Sequence, residues 1–258
     1  MTETTHSADT EGAIEAEGIH KTFGVQAALR GISFSLRKGE FLTIFGPNGA
    51  GKTTLLKILA GLAKPTRGTA RVAGFDVLEG DPGMKRQIGV IAHASCLYSD
   101  LSAVENLIFY AKMYGLGRPE ERAVRAIENV GLKARMHDRV RTYSRGMQQR
   151  VSIARAVLHD PPILFLDEPF TGLDPQGSNN LKETLRALHT DKRTVLMTTH
   201  DIACGLELSD KVAVQSKGRF VLYEDACNLE KHRFEDLYFE ILADRLPAEK
   251  TAPGGPGR

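Results

Sequence analysis

Three stretches of the chain carry residue types that phosphate chemistry needs. Residues 46 to 53 read GPNGAGKT, a full match to G-x-x-x-x-G-K-[ST]. Glycines at these places let the backbone curl so that several N–H groups point at phosphate oxygens. A helix opening just after the loop presents its positive end to the same anion. Lys52 can then reach the β- and γ-phosphates of a nucleotide, and the Thr53 hydroxyl can ligate magnesium. Glycine-rich turns are common, but this one follows the apolar FLTIF and precedes TTLLKILAGL, the strand and helix that the motif requires.

The second stretch is Asp167 and Glu168, directly after the apolar run ILFL. Two acids standing alone most simply end a strand at a solvated turn. Beside a phosphate loop, an aspartate ending a neighbouring strand holds magnesium, and Glu168 is placed to polarise an attacking water. The third is His200, at the end of TVLMTTH. Ligands gather at the carboxyl ends of strands in an open α/β sheet, and a histidine there can meet a γ-phosphate and orient the water. A further run, YSRGMQQR from 143 to 150, has neither triad nor metal-ligand spacing. By itself it reads as a basic helix start with Ser144 as the N-cap.

The elements that must position these groups alternate along the chain. Residues from about Ile14 to Arg37 suggest short strands, FLTIF a compact one, and GTARVAG and QIGVIA two more. The middle is helical. Ser102 and Glu105 form a capping box, a second helix is predicted over Pro119 to Val130, and a third over Arg145 to His159 before two prolines. ILFL and RTVLMTTH are buried strands, and Asp174-Pro175 opens a helix to about Leu188. KVAVQ and RFVLY are expected to close the regular structure. Strands alternating with helices around a helical block predict an α/β core with a helical insertion.

Composition bounds the rest. At 258 residues, the chain suits one large domain or a domain with an insertion, and a formal net charge of +2 offers no nucleic-acid footprint. Cys96, Cys204 and Cys227 show no pairing or zinc spacing and read as reduced thiols of a cytosolic protein. No apolar run approaches the roughly 18 residues that span a bilayer. The acidic, polar start is expected to be neither signal nor transit peptide. Residues 1–13 and 244–258 are expected to be disordered tails.

Taken in order, GPNGAGKT, YSRGMQQR, ILFLDEP, TGLDP and TTHD resemble the ATP-binding subunit of an ABC transporter, over roughly residues 14 to 222. The resemblance implies an α/β phosphate-loop NTPase core with an N-terminal antiparallel β subdomain and a helical insertion subdomain at about 94–160, within a domain spanning 14–243. It implies ATP and magnesium as cofactors. Gly46, Pro47, Asn48, Gly49, Ala50, Gly51, Lys52, Thr53 and Thr54 would hold the phosphates, with Thr53 and Asp167 on the metal. Glu168 and His200 would be catalytic, and Phe23 would stack on adenine, at a place that is commonly tyrosine.

Ser144 and Gly146, in the place of the family's LSGGQ signature, would touch the γ-phosphate bound to a second protomer. Asp174 would lie in the D-loop crossing that dimer interface. Two departures stand out: Arg145 and Met147 replace glycine and glutamine, and His93 stands where the Q-loop glutamine is expected, where it would contribute a hydrogen bond near the nucleotide's magnesium.

The look is that of small exporter ATPases, among them the haem-exporter ATPase of cytochrome c maturation, with drug and polysaccharide exporter subunits sharing much of it. The implied partners are a second ATPase protomer and two transmembrane permease subunits at the cytoplasmic face of the membrane, docking near His93 to Val104. A soluble relative acting on DNA or ribosomes fits less well. Only about 90 residues without sustained heptads separate the loop from YSRGM, and the chain carries one cassette. A kinase with a similar loop leaves YSRGM and TGLDP without a role.

Overall fold

The computed structural model describes residues 12–92, 94–190 and 192–243. His93, the expected Q-loop position, lies outside the described residues, as do 1–11 and 244–258 of the expected tails.

Two sheets organise the chain. β1 (Gly12–Phe23) and β2 (Gln26–Arg37) form an antiparallel hairpin that β4 (Arg67–Val72) and β5 (Phe75–Asp76) extend in the order β2-β1-β4-β5. Ile32, Phe34 and Leu36 alternate inward along β2. The short strands expected over Ile14–Arg37 are in fact two strands of 12 residues each. Register shifts at Ala16/Ile19 and Lys21/Thr22 interrupt the alternation without ending the pairing. The hairpin also takes in Gly12 and the buried Ala13, which the sequence places in a tail.

The second sheet has the order β10-β9-β3-β8-β7-β6, with β3 (Phe41–Phe45), β6 (Ile88–Ile91), β7 (Ile163–Asp167), β8 (Thr194–Thr199), β9 (Lys211–Ser216) and β10 (Arg219–Asp225). Its first five members in chain order run parallel, and β10 turns back antiparallel on β9. Every residue of β3, β7 and β8 is buried, as expected of parallel strands covered on both faces. Register then does something the motifs alone do not show. Phe45 stands opposite Thr199, and Asp167 opposite Thr198. The carboxyl ends of three strands distant in sequence therefore lie side by side.

Helices cover both faces. α1 (Lys52–Leu59) turns Leu55, Leu56, Ile58 and Leu59 into a core shared with the first sheet, and the short α2 (Pro82–Gln87) adds Met84 to it. α6 (Pro175–Thr190) and α7 (Ile202–Leu208) close the other face around Phe41, Leu164 and Met197. α3 (Ala103–Met113), α4 (Pro119–Asn129) and α5 (Arg145–Val157) pack around their own cluster, including Leu107, Ile127 and Val151. The capping box forms as the sequence suggests: Ser102 Oγ accepts from the Glu105 N–H at 3.2 Å and Glu105 Oε2 from the Ser102 N–H at 2.7 Å.

RFVLY does not close the regular structure. α8 (Lys231–Leu242) follows and packs Phe234 and Tyr238 onto Phe45, beneath the phosphate loop. Phe234, Leu237, Tyr238 and Ile241 repeat at i, i+3, i+4 and i+7, a helical signal present in the sequence. α7 likewise goes beyond the elements that the sequence predicts. Its cue is Asp201, whose carboxylate accepts from the Cys204 N–H at 2.9 Å as an N-cap.

Candidate nucleotide site

The loop from Gly46 to Gly51 joins β3 to α1 with a backbone that only glycine allows at two points. Gly46 (φ 154°) passes so close to β9 that a Cβ there would collide with the Gln215 carbonyl oxygen, and Gly51 (φ 102°) caps α1 against the Ala28 carbonyl. Lys52 is buried and folds back under its own loop. Its Nζ donates to the Gly46 carbonyl at 2.7 Å and the Pro47 carbonyl at 3.2 Å. The ammonium is thus already directed to the concave side of the loop.

Across from it, the end of β7 supplies the acids. Asp167 is buried, and its Oδ1 accepts from Thr53 Oγ1 at 3.0 Å and from Thr198 Oγ1 at 2.8 Å. The Glu168 N–H is shared between the Thr198 carbonyl at 3.0 Å and the Thr198 hydroxyl at 3.2 Å. Glu168 sits at φ 52°, a left-handed backbone uncommon for a residue with a long side chain. That turn aims its carboxylate back over the loop. Oε1 lies 3.4 Å from Lys52 Nζ and Oε2 2.8 Å from His200 Nδ1. A carboxylate held between an ammonium and an imidazole, at the mouth of a phosphate-shaped loop, is equipped to take a proton from a water.

These groups share one cleft of about 540 Å³, which also takes in the loop from Pro47 through Thr54. Phe23, the last residue of β1, stands on its rim with 56% of its surface exposed, and the Lys21 ammonium lies 4.9 Å from its ring centre. The exposed ring offers a flat apolar face on the rim of the cleft. Gly46 does not line the cleft but sets the direction of the loop from behind.

Ser144, Gly146 and Asp174 gather elsewhere. They line a separate cleft of about 320 Å³ between the N-terminal ends of α5 and α6, and none of the three lines the first. Ser144 Oγ caps α5 by accepting from the Met147 N–H at 3.3 Å, and Asp174 Oδ1 accepts from the Gly177 N–H at 2.7 Å. Arg145 explains its departure from glycine in physical terms. Its Nε donates to the Thr171 carbonyl at 3.0 Å, and its side chain lies against Gly172, where a Cβ would come within 2.6 Å of that nitrogen. The guanidinium therefore links the start of α5 to the segment that follows Glu168.

Two contributors escaped the sequence reading. Thr198, which orders Asp167 and Glu168 together, stood in plain view in TVLMTTH. Gln215, whose Nε2 donates to the Ala50 carbonyl at 2.9 Å, was a polar residue inside the apolar KVAVQ.

The profile of the ABC transporter family matches residues 29–171. The chain belongs to that family. It is 38% identical over 210 residues to the linearmycin resistance ATP-binding protein LnrL of Bacillus subtilis, covering 81% of this chain and 68% of that one. It is 34% identical over 240 residues to the Nod factor export ATP-binding protein I of Ralstonia nicotianae, covering 92% and 75%. Among solved structures, the dimeric ATP-binding cassette MJ0796 in a post-hydrolysis state with ADP and Pi superposes with a TM-score of 0.76 at 27% identity, over 83% of this chain and 98% of that one. This protein is accordingly an ABC-type ATPase, the ATP-binding subunit of a transporter. No helix among the described residues is long and apolar enough to cross a membrane.

Proposed function

We propose that two copies of this ABC ATPase close on two ATP molecules at the cytoplasmic face of a membrane and so drive export through two permease subunits. The observation that carries this reading is the separation of Ser144, Gly146 and Asp174 from the phosphate cleft of their own chain. Groups suited to meet a γ-phosphate, lining a cleft apart from the phosphate loop of their own chain, serve a nucleotide held by another copy. The dimeric relative with ADP and Pi supports the same arrangement.

In this reading the adenine lies against Phe23, and the loop N–H groups with Lys52 hold the phosphates. The Thr53 hydroxyl and the Asp167 carboxylate are hard oxygen donors already joined on one Oδ1. They suit magnesium, which prefers one or two carboxylates plus substrate phosphates and, when bound, neutralises charge on the β- and γ-oxygens. Glu168 accepts a proton from the attacking water as its oxygen bonds to the γ-phosphorus, and the bond to the bridging oxygen breaks to release ADP and inorganic phosphate. His200, 2.8 Å from that carboxylate through Nδ1, would meet the γ-phosphate from the open side. Ser144 and the N-terminal end of α5 reach that phosphate from the partner copy.

Ser144→Arg tests the shared site. It places a bulky cation at a position whose own chain needs only a helix cap. ATP affinity should stay within about twofold, while turnover falls roughly 10²-fold or more, as when one transition-state donor is lost. Steady-state phosphate release with a parallel binding titration reads both. Full hydrolysis by Ser144→Arg would remove the shared-site reading.

For docking, the stretch from His93 to Val104 remains our candidate, and the described part of it leads into an exposed aromatic group. Tyr98 and Phe109 pack edge to face at 5.1 Å, Phe109 and Tyr110 at 5.4 Å, and Met113 is exposed beside them. Such a patch on a charged surface suits a protein partner. Phe109→Asp should leave the hydrolysis rate of the isolated protein within about twofold, since Phe109 lines neither cleft, while the membrane subunits no longer co-purify, since a charge then stands at the centre of the aromatic patch. Retention of those subunits would move the docking surface elsewhere.

The cargo reading follows the relatives. A linearmycin resistance ATP-binding protein and a Nod factor export ATP-binding protein favour a drug-like or Nod-factor-like cargo. Haem export draws no support from either of them. Loss of resistance to such compounds on deletion, against loss of cytochrome c, separates the two.

A further inference from the structure

β9 ends its buried run on an amide, Gln215, which has no exposed surface. The side chain lies directly under the phosphate loop. Its Nε2 donates to the Ala50 carbonyl at 2.9 Å, and a Cβ on Gly51 would come within 2.8 Å of that same nitrogen. The Gly218 N–H, in the turn after β9, donates to the Ala50 carbonyl as well, at 3.1 Å. Two donors thus pin one carbonyl from below.

Chemistry fixes which way the amide points. Turned over, it would set its oxygen against the Ala50 oxygen, acceptor against acceptor. In the orientation that remains, Oε1 is buried and accepts no hydrogen bond from any described residue. A buried polar atom left so lowers stability, and an apolar side chain of similar length would avoid that cost. The strand keeps the amide all the same.

The peptide plane explains what the amide does. The Ala50 C=O and the Gly51 N–H belong to one trans peptide and point in opposite directions. Pinning the carbonyl down toward β9 aims the Gly51 N–H up into the phosphate cleft. We propose that Gln215 is a positioning residue for nucleotide binding, orienting the Ala50–Gly51 peptide so that its N–H meets phosphate, and that it is kept at some expense of fold stability. The inference rests on the phosphate-loop reading given above.

The test pairs two readouts on the full chain. Titration with a non-hydrolysable ATP analogue measures affinity, and calorimetric melting without nucleotide measures stability. Gln215→Met, similar in length but unable to donate, should bind the analogue about tenfold more weakly, a hydrogen bond's worth. Its melting temperature should stay level or rise. Wild-type affinity in Gln215→Met would overturn the proposal, as would a lost affinity accompanied by a drop in melting temperature, which marks a merely structural residue. Gln215→Glu keeps the shape and replaces the donor with an acceptor. It should lose at least as much affinity, and it serves equally if Gln215→Met does not fold; wild-type affinity there overturns the proposal too. Lys52→Ala, run alongside, separates the two levels. If it also binds normally, the phosphate loop reading itself fails; if it alone loses affinity, only the role of Gln215 falls.

Discussion

Glu168→Gln should bind ATP as the wild type does and turn it over roughly 10²- to 10⁴-fold more slowly, the range expected when a general base is removed. The geometry makes this a clean substitution. Glutamine has the same length, and the backbone at φ 52° is no harder for one residue than for the other. The amide oxygen can still face Lys52 Nζ, 3.4 Å from Glu168 Oε1, and the second amide atom can still meet His200. What disappears is the capacity to take a proton from water. ATP should then accumulate in a closed dimer. Single-turnover phosphate release gives the rate, and size-exclusion chromatography with ATP gives the dimer. Hydrolysis near the wild-type rate would show that Glu168 is not the proton acceptor.

Lys52→Ala should act on binding itself. The ammonium is buried and faces the Gly46 and Pro47 carbonyls on the concave side of the loop. A charge-assisted hydrogen bond to phosphate is worth roughly 1.5–3 kcal/mol, so ATP affinity should fall by roughly 10- to 100-fold. Removing the ammonium also leaves Glu168 without its neighbouring cation, so turnover at saturating ATP should fall as well. Calorimetric titration checks the first effect and initial rates the second. The contrast between the two variants is diagnostic: one loses chemistry with affinity intact, the other loses affinity first.

The distribution of what could be read in advance has a physical basis. The phosphate loop is legible because its function depends on a contiguous backbone curl, and only glycine supplies that curl at Gly46 and Gly51. The capping box at Ser102 and Glu105 is legible for the same local reason. ILFL and TVLMTT announce buried parallel strands because both faces of each must be apolar. The first hairpin reads as short strands in the sequence because bulges break its alternation while the ladder continues. α8 is hard to read although its apolar spacing is regular, since the polar residues around it mask a face that only Phe45 and β9 complete.

The sequence by itself determined which residue types carry the chemistry and the local backbone that each requires, because glycine curls, caps and apolar periods act over a few residues. Only the tertiary structure decided who meets whom. Strand order β9-β3-β8-β7 sets Gln215 under Ala50 and puts Thr198 between Asp167 and Glu168, across separations that no local pattern spans. The same packing keeps Ser144 and Asp174 away from their own chain's phosphate loop, because α5 and α6 open their N-terminal ends onto a different cleft.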